Sequence, residues 1–133
     1  MIFIDTGAFL ARYLEQDQYH VVSLASWERL RGSASPCATS NLVLSETFTL
    51  LARRAGYDFA ATRARLILAS RVLKLLRPDA ADERKALEFF EKYADQKVSF
   101  TDCLSFALMK KEKLRQAFTF DQHFEYAGFQ RWS

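Results

Sequence analysis

Apolar residues recur along the chain in two rhythms. Short β-rich runs, "IFID" (residues 2–5), "PCATS" (36–40), "VLKLL" (72–76), "QAFTFD" (116–121) and "GFQRW" (128–132), alternate with longer stretches in which apolar positions return every three or four residues. The first long stretch is "FLARYLEQ" behind Gly7. The second is "QYHVVSLASWERLRG", capped by Asp17, with Val21, Leu24, Ala25 and Leu30 as its apolar face. Ser40 caps "NLVLSETFTLLARRAG", where Leu44, Phe48 and Leu51 share a face and Gly56 ends the helix. Asp58 caps the helix that follows, and Asp79 caps "AADERKALEFFEKYA", with a stripe of Ala86, Phe89, Phe90 and Tyr93. Ser99 opens the last long helix, "FTDCLSFALMKK". Strands that alternate with helices predict an α/β fold, a mainly parallel central sheet flanked by helices on both sides.

Length and composition narrow this further. A chain of 133 residues, half of them hydrophobic and 12 of them Phe, is the size of one domain with a real core. It contains no repeat, no low-complexity tract and no Pro/Gly linker, so residues 1–133 read as one unit. Cys37 and Cys103 lie among small or apolar neighbours and are expected to be reduced core thiols rather than a disulfide framework. The N-terminal run lacks a basic lead and carries Asp5, which fits neither a signal peptide nor a membrane span and predicts a cytoplasmic protein. The net charge of +3 is unevenly spread. Arg53, Arg54, Arg63, Arg65, Arg71, Lys74 and Arg77 face only Asp58 between residues 53 and 77, beside an acid-rich remainder. Such a flank suits a polyanion, although a solvated helix face also explains it.

The chemistry lies in acids placed at the edges of apolar elements. "IFID" and "FTFD" both end in aspartate, and in open α/β sheets ligands bind beyond the carboxyl ends of the strands. Asp5 and Asp121 are therefore expected to share a crevice, although each is also a plausible turn residue. Glu46 has Leu42, Val43, Thr49 and Leu50 three and four residues away, so it projects from a largely apolar face. Left there ionised and unpaired it would cost roughly several kcal/mol. Asp102 opens an equally apolar helix, where S-x-x-D spacing from Ser99 also permits a capping box. Four converging carboxylates repel unless one keeps a proton or a hard cation joins them, and oxygen donors suit Mg²⁺ or Mn²⁺. His20 and His123 are the only histidines and no cysteine pair is suitably spaced, which argues against zinc. A G-x-S-x-G element and a Gly-rich phosphate loop are both missing, which disfavours a serine hydrolase or a P-loop enzyme.

Taken together, "FIDTGAF", "SNLVLSET", "SFTDCLSFALM" and "FTFDQHF...GF" resemble the four acidic motifs of PIN-domain ribonucleases in order and spacing. The length is closest to the toxin subunits of VapBC-type toxin-antitoxin pairs. Residue by residue, the resemblance implies an acidic catalytic site of Asp5, Glu46, Asp102 and Asp121. Asp5 and Asp102 are then the first choices as direct Mg²⁺ or Mn²⁺ ligands, with Thr6 and Thr101 as supporting polar residues; Cys103 stands where alanine is common. It also implies a metal-dependent endoribonuclease leaving 5′-phosphate and 3′-hydroxyl ends. Arg53, Arg54, Arg63 and Arg65 would contact the RNA backbone. The implied partners are an RNA substrate, a cognate antitoxin, and a second copy in a homodimer or a toxin-antitoxin hetero-oligomer. Two competing readings are a non-catalytic RNA-binding scaffold and a receiver-like phosphoacceptor module. The full set of acids counts against the scaffold, and Glu46 with no N-terminal acidic pair counts against the receiver.

Overall fold

The computed structural model describes residues 1–133. Five strands, β1 (Ile2–Ile4), β2 (Cys37–Ser40), β3 (Leu73–Leu76), β4 (Gln116–Phe118) and β5 (Gln130–Trp132), form one sheet in the order β3-β2-β1-β4-β5. Every pairing is parallel, so the expected mainly parallel sheet is wholly so. The helices are α1 (Thr6–Tyr13), α2 (His20–Ser33), α3 (Asn41–Ala55), α4 (Tyr57–Leu68), α5 (Ala80–Lys92), α6 (Phe100–Lys111) and the short α7 (His123–Tyr126). No helix is long and apolar enough to cross a membrane.

The strand order explains the layers. From β1 the chain steps outward through β2 to the β3 edge, then returns past β1 to β4 and β5. Right-handed crossovers therefore put α1 to α4 on one face and α5 to α7 on the other, the three-layer α/β/α arrangement expected of the pattern. On the second face Phe106 of α6 is fully buried and meets Phe89 of α5, Tyr93 just after that helix, Phe124 of α7 and Phe129 edge-on or tilted. On the first face Trp27 packs on Phe9 and Phe118 and donates its Nε1–H to the Ala8 carbonyl at 3.1 Å. Cys37 and Cys103 are buried free thiols, as expected.

Several local expectations are corrected. Asp17 does not cap α2: its carboxylate accepts the Tyr19 amide at 2.8 Å, a turn that brings the chain into a helix starting at His20. Of the apolar face predicted for α2 only Leu30 points inward. Val21 is 80% exposed and Leu24 48%, whereas Ser23, Ser26 and Leu30 are buried, because the small serines let the helix lie close to its neighbours while their hydroxyls bond carbonyls one turn back. Asp58 lies inside the first turn of α4, and Gly56 at φ +99° occupies the cap position between α3 and α4. Phe90 leaves the predicted stripe and stacks edge-on against Phe100 near the surface.

Candidate active site

The chain reverses direction across the sheet between β1 and β4, and a crevice opens beyond the carboxyl ends of strands at such a switch point. Asp5 follows β1 and Asp121 lies three residues after β4. Register brings their neighbourhoods together: Ile4 pairs with Phe118, and the Asp5 amide donates to the Phe118 carbonyl at 3.1 Å. Thr119 consequently lies beside Asp5, and its hydroxyl donates to Asp5 Oδ2 at 2.9 Å. The hydroxyl oxygen of Thr119 also accepts the Asp121 amide at 3.0 Å, so one buried threonine ties both strand-end acids together.

On the other side of β1, Thr39 Oγ1 donates to the Ile4 carbonyl at 2.8 Å, and Ser40 caps α3 by accepting the Val43 amide at 3.0 Å. Glu46 is half-buried on the helix thus positioned, which touches α6. At the start of α6, Ser99 Oγ accepts the Asp102 amide at 3.1 Å. The Asp102 carboxyl group makes no return bond to Ser99, so only half of the predicted capping box forms. That carboxyl group lies instead beside Asp121, with oxygens of the two within 4.8 Å of each other.

His123 was missed as a site residue by sequence reasoning. Its backbone amide donates to Asp121 Oδ1 at 2.9 Å and its Nδ1 lies 3.1 Å from the same oxygen. Asp102, Asp121 and His123 each bring a potential ligand atom within 4.8 Å of the others. Spacing of two residues after a strand-end acid was the available signal, since such an aspartate bonds the backbone two residues on. Thr119 was missed as well, because its role depends on register between strands more than a hundred residues apart.

Electrostatics shows how crowded the acids are. Asp5 is 5% exposed, and burial pushes its carboxyl group up to about 6 even though the Thr119 hydroxyl favours the charged form; Asp121 and Glu46 push the same way as burial. Asp102 rises further, to about 9, first through burial, then through the charges of Asp5, Asp121 and, least, Glu46. None of the molecule's ion pairs to Lys or Arg involves Asp5, Glu46, Asp102 or Asp121. Thr6 Oγ1, next in sequence to Asp5, is buried without a hydrogen-bond partner. Carboxylates with no protein cation, an orphaned hydroxyl and one imidazole form a donor set that fits a divalent metal ion.

The remaining candidates lie elsewhere or play smaller parts. Thr101 is half-buried; its carbonyl accepts Ser105 Oγ, and its hydroxyl makes no bond to the acids. Arg53 and Arg54 are exposed in the last turn of α3, while Arg63 stacks over the Phe59 ring at 3.7 Å and Arg65 is exposed on α4. Arg54 borders a separate cleft of about 350 Å³ with Glu15, Asp17 and Phe59.

The comparisons agree with this architecture. A family model described as PIN domain matches residues 2–130. The 23S rRNA-specific endonuclease VapC20 of Mycobacterium tuberculosis is 38% identical over 130 residues, which is 97% of this chain and 95% of that protein. The crystal structure of VapC20, described as a Sarcin-Ricin loop cleaving toxin, superposes with a TM-score of 0.85 at 36% identity, covering 97% of this chain and 96% of the other. A DNA-bound VapBC2 from Rickettsia felis shares the fold at TM-score 0.73 with 14% identity over the full length of both chains. With the acids gathered at one switch point and a family match over nearly the whole length, the chain belongs to the PIN-domain family of nucleases, in its VapC line.

Proposed function

We propose that this protein is an Mg²⁺- or Mn²⁺-dependent endoribonuclease whose working groups are Asp5, Glu46, Asp102 and Asp121, with His123 and Thr119 holding them in place. The observation that carries the proposal is the convergence of one buried and three half-buried, mutually repelling acids without a protein cation. Asp5, Asp102 and Asp121 would hold the metal, with Glu46 acting through water. When bound, such an ion supplies Lewis-acid charge at the phosphoryl oxygens and lowers the pKa of a water.

The chain's own residues prepare the reaction. Thr119 keeps Asp5 oriented and favours its charged form. Asp121 is fixed from three directions, by its amide on Thr119 and by the His123 amide and ring. Asp102, its carboxyl group held well above the usual range by burial and by the neighbouring acids, keeps its proton while the site is free of cations and releases it when opposite charge arrives. Water then attacks phosphorus in line; its oxygen forms the new P–O bond, the bond to the 3′ oxygen breaks, and a proton passes to that oxygen. The ends left are a 5′-phosphate and a 3′-hydroxyl. Arg53 lies two turns beyond Glu46 on the same helix face, about 10 Å along the axis, a position suited to a phosphate further along the strand.

The similarity to VapC20 favours 23S rRNA, and a sarcin-ricin-type hairpin loop within it, as the substrate. It also favours the role of a toxin restrained by an antitoxin, and carboxylates lacking a cation suit an arginine from that partner. Incubating ribosomal RNA with the protein and Mg²⁺ or Mn²⁺, then mapping ends by primer extension, tests the proposal. A discrete cut that disappears in EDTA is expected; undiminished cutting in EDTA overturns the metal mechanism, and intact RNA with either metal overturns the nuclease reading.

A further inference from the structure

Phe120 stands between the two residues that build the strand-end half of the site, Thr119 and Asp121. Its ring is covered by Tyr19, from the turn between α1 and α2, in a face-to-face stack with centroids 4.4 Å apart and planes 3° from parallel. Among the other aromatic pairs only Phe89–Tyr93 is also parallel, with centroids 6.2 Å apart, and the rest are tilted or edge-on, so a parallel surface pair this close is a distinct feature. Tyr19 is 39% exposed.

The turn holds that ring firmly. The Tyr19 amide donates to Asp17 Oδ1 at 2.8 Å, and the next residue, His20, has its Nδ1 2.7 Å from the Ala11 carbonyl. Two helical turns further on, Trp27 is tied to the Ala8 carbonyl and packs on Phe118, which in turn meets Phe120 edge-on. The platform is thus braced at its base and along its side. An apolar ring left partly in water and immobilised at the rim of a phosphodiester-cleaving site is suited to a flat partner. Unpaired bases in RNA loops stack on such rings whatever their sequence.

We propose that the Tyr19–Phe120 stack is a base-binding platform, on which an unstacked loop base of the RNA lies while the adjoining phosphate enters the acid cluster. The proposal rests on the endoribonuclease reading for its substrate class, but it concerns residues that take no part in the chemistry. Tyr19 binds and positions the base; the acids do the rest.

The test uses the full-length protein and a short RNA hairpin carrying the fluorescent adenine analogue 2-aminopurine in its loop. In an Asp102→Asn background, which removes cutting, binding should quench the fluorophore. Tyr19→Phe and Tyr19→Trp should keep that quench, and Tyr19→Leu, which leaves an apolar cover over Phe120 but no π face, should lose it. With Asp102 restored, Tyr19→Leu should raise KM at least about fivefold, the smaller end of the effect of losing one base stack, with kcat little changed. A quench and KM in Tyr19→Leu equal to wild type would reduce the ring to a lid over Phe120 and overturn the proposal. So would a Tyr19→Phe variant as impaired as Tyr19→Leu, because the hydroxyl and not the ring would then be at work. Retained quench in Tyr19→Trp shows that the fold survives substitution. If the hairpin binds with Tyr19-dependent quenching but the wild type never cuts RNA, the nuclease reading fails and the platform stands.

Discussion

Helices α5 and α6 pack against each other and begin alike, each with a capping residue followed three positions later by aspartate, yet the two aspartates have opposite fates. At α5 both arms of a capping box are made: Asp79 Oδ1 accepts the Asp82 amide and Asp82 Oδ2 accepts the Asp79 amide, each at 2.9 Å. Lys111, from the far end of α6, reaches Asp82 at 3.2 Å and Asp79 at 3.5 Å. Both carboxylates there have partners within the protein. At α6 the Ser99 arm is made but the acid arm is not, and Asp102 turns to three other acids with no lysine or arginine in reach. A carboxylate supplied with a cation holds a helix in place. One deprived of it, and packed among its own kind, is set to bind a cation from outside.

The largest expected effect breaks this comparison at its chemical end. Asp102→Asn should reduce RNA cleavage by more than the roughly 10- to 100-fold typical of losing a group that only supports a metal ligand. Asp82→Asn should leave cleavage nearly unchanged and lower stability by roughly 1–2 kcal/mol through the lost cap and ion pair. Parallel cleavage assays and urea titrations of the two variants check both halves.

Next comes the threonine that joins the strands. Thr119→Val keeps the shape but removes the donor to Asp5, so cleavage should fall by about 10- to 100-fold. Because that hydrogen bond favours the charged form, its loss should raise the Asp5 pKa, and the acid limb of the pH–rate profile should move to higher pH. Thr119→Ser should restore both. An acid limb at the same pH in Thr119→Val would separate Asp5 from the rate-controlling titration.

A smaller effect is expected of the basic flank. Replacing Arg53, Arg54, Arg63 and Arg65 with alanine should weaken RNA binding and flatten its salt dependence by about one unit of slope for each phosphate no longer neutralised. Arg63 also stacks on Phe59, so its replacement should lower the melting temperature slightly as well. An unchanged salt slope would assign the flank to a solvated helix face.

The comparison of α5 and α6 also shows what the sequence can carry. Strand ends, the parallel sheet and the four acids follow from local signals, namely β-rich runs, caps and carboxylates set among apolar neighbours. Which of two equally spaced aspartates closes its capping box does not, since the answer depends on Lys111 lying near one and on β1 and β4 presenting acids to the other. Thr119 was illegible for the same reason, since it acts through a neighbour fixed by strand register; His123 carried a local signal, its spacing two residues after Asp121. The inward face of α2 was misread in part because Val21, Leu24 and Ala25 are on the outside, while Ser23 and Ser26 pack inward beside Trp27 and Leu30.

The most direct measurement is thermal melting of wild type, Asp102→Asn and Asp82→Asn, with EDTA and with Mg²⁺, at a mildly acidic and a neutral pH. Asp102 has a folded pKa raised to about 9, against an unfolded value of about 3.9. Its proton therefore stabilises the fold fully below the unfolded value, and that contribution is lost progressively as pH rises toward 9. Asn keeps the neutral side chain at every pH. Without metal, Asp102→Asn should melt above the wild type, by a margin that widens from acidic to neutral pH, and it should gain less from Mg²⁺, which stabilises by binding the native state. Asp82→Asn should melt below the wild type and gain from Mg²⁺ just as much. An Asp102→Asn variant that is less stable than the wild type in EDTA, and equally stabilised by Mg²⁺, would mean that the Asp102 charge serves only the N-terminus of its helix and that the acids do not share a cation.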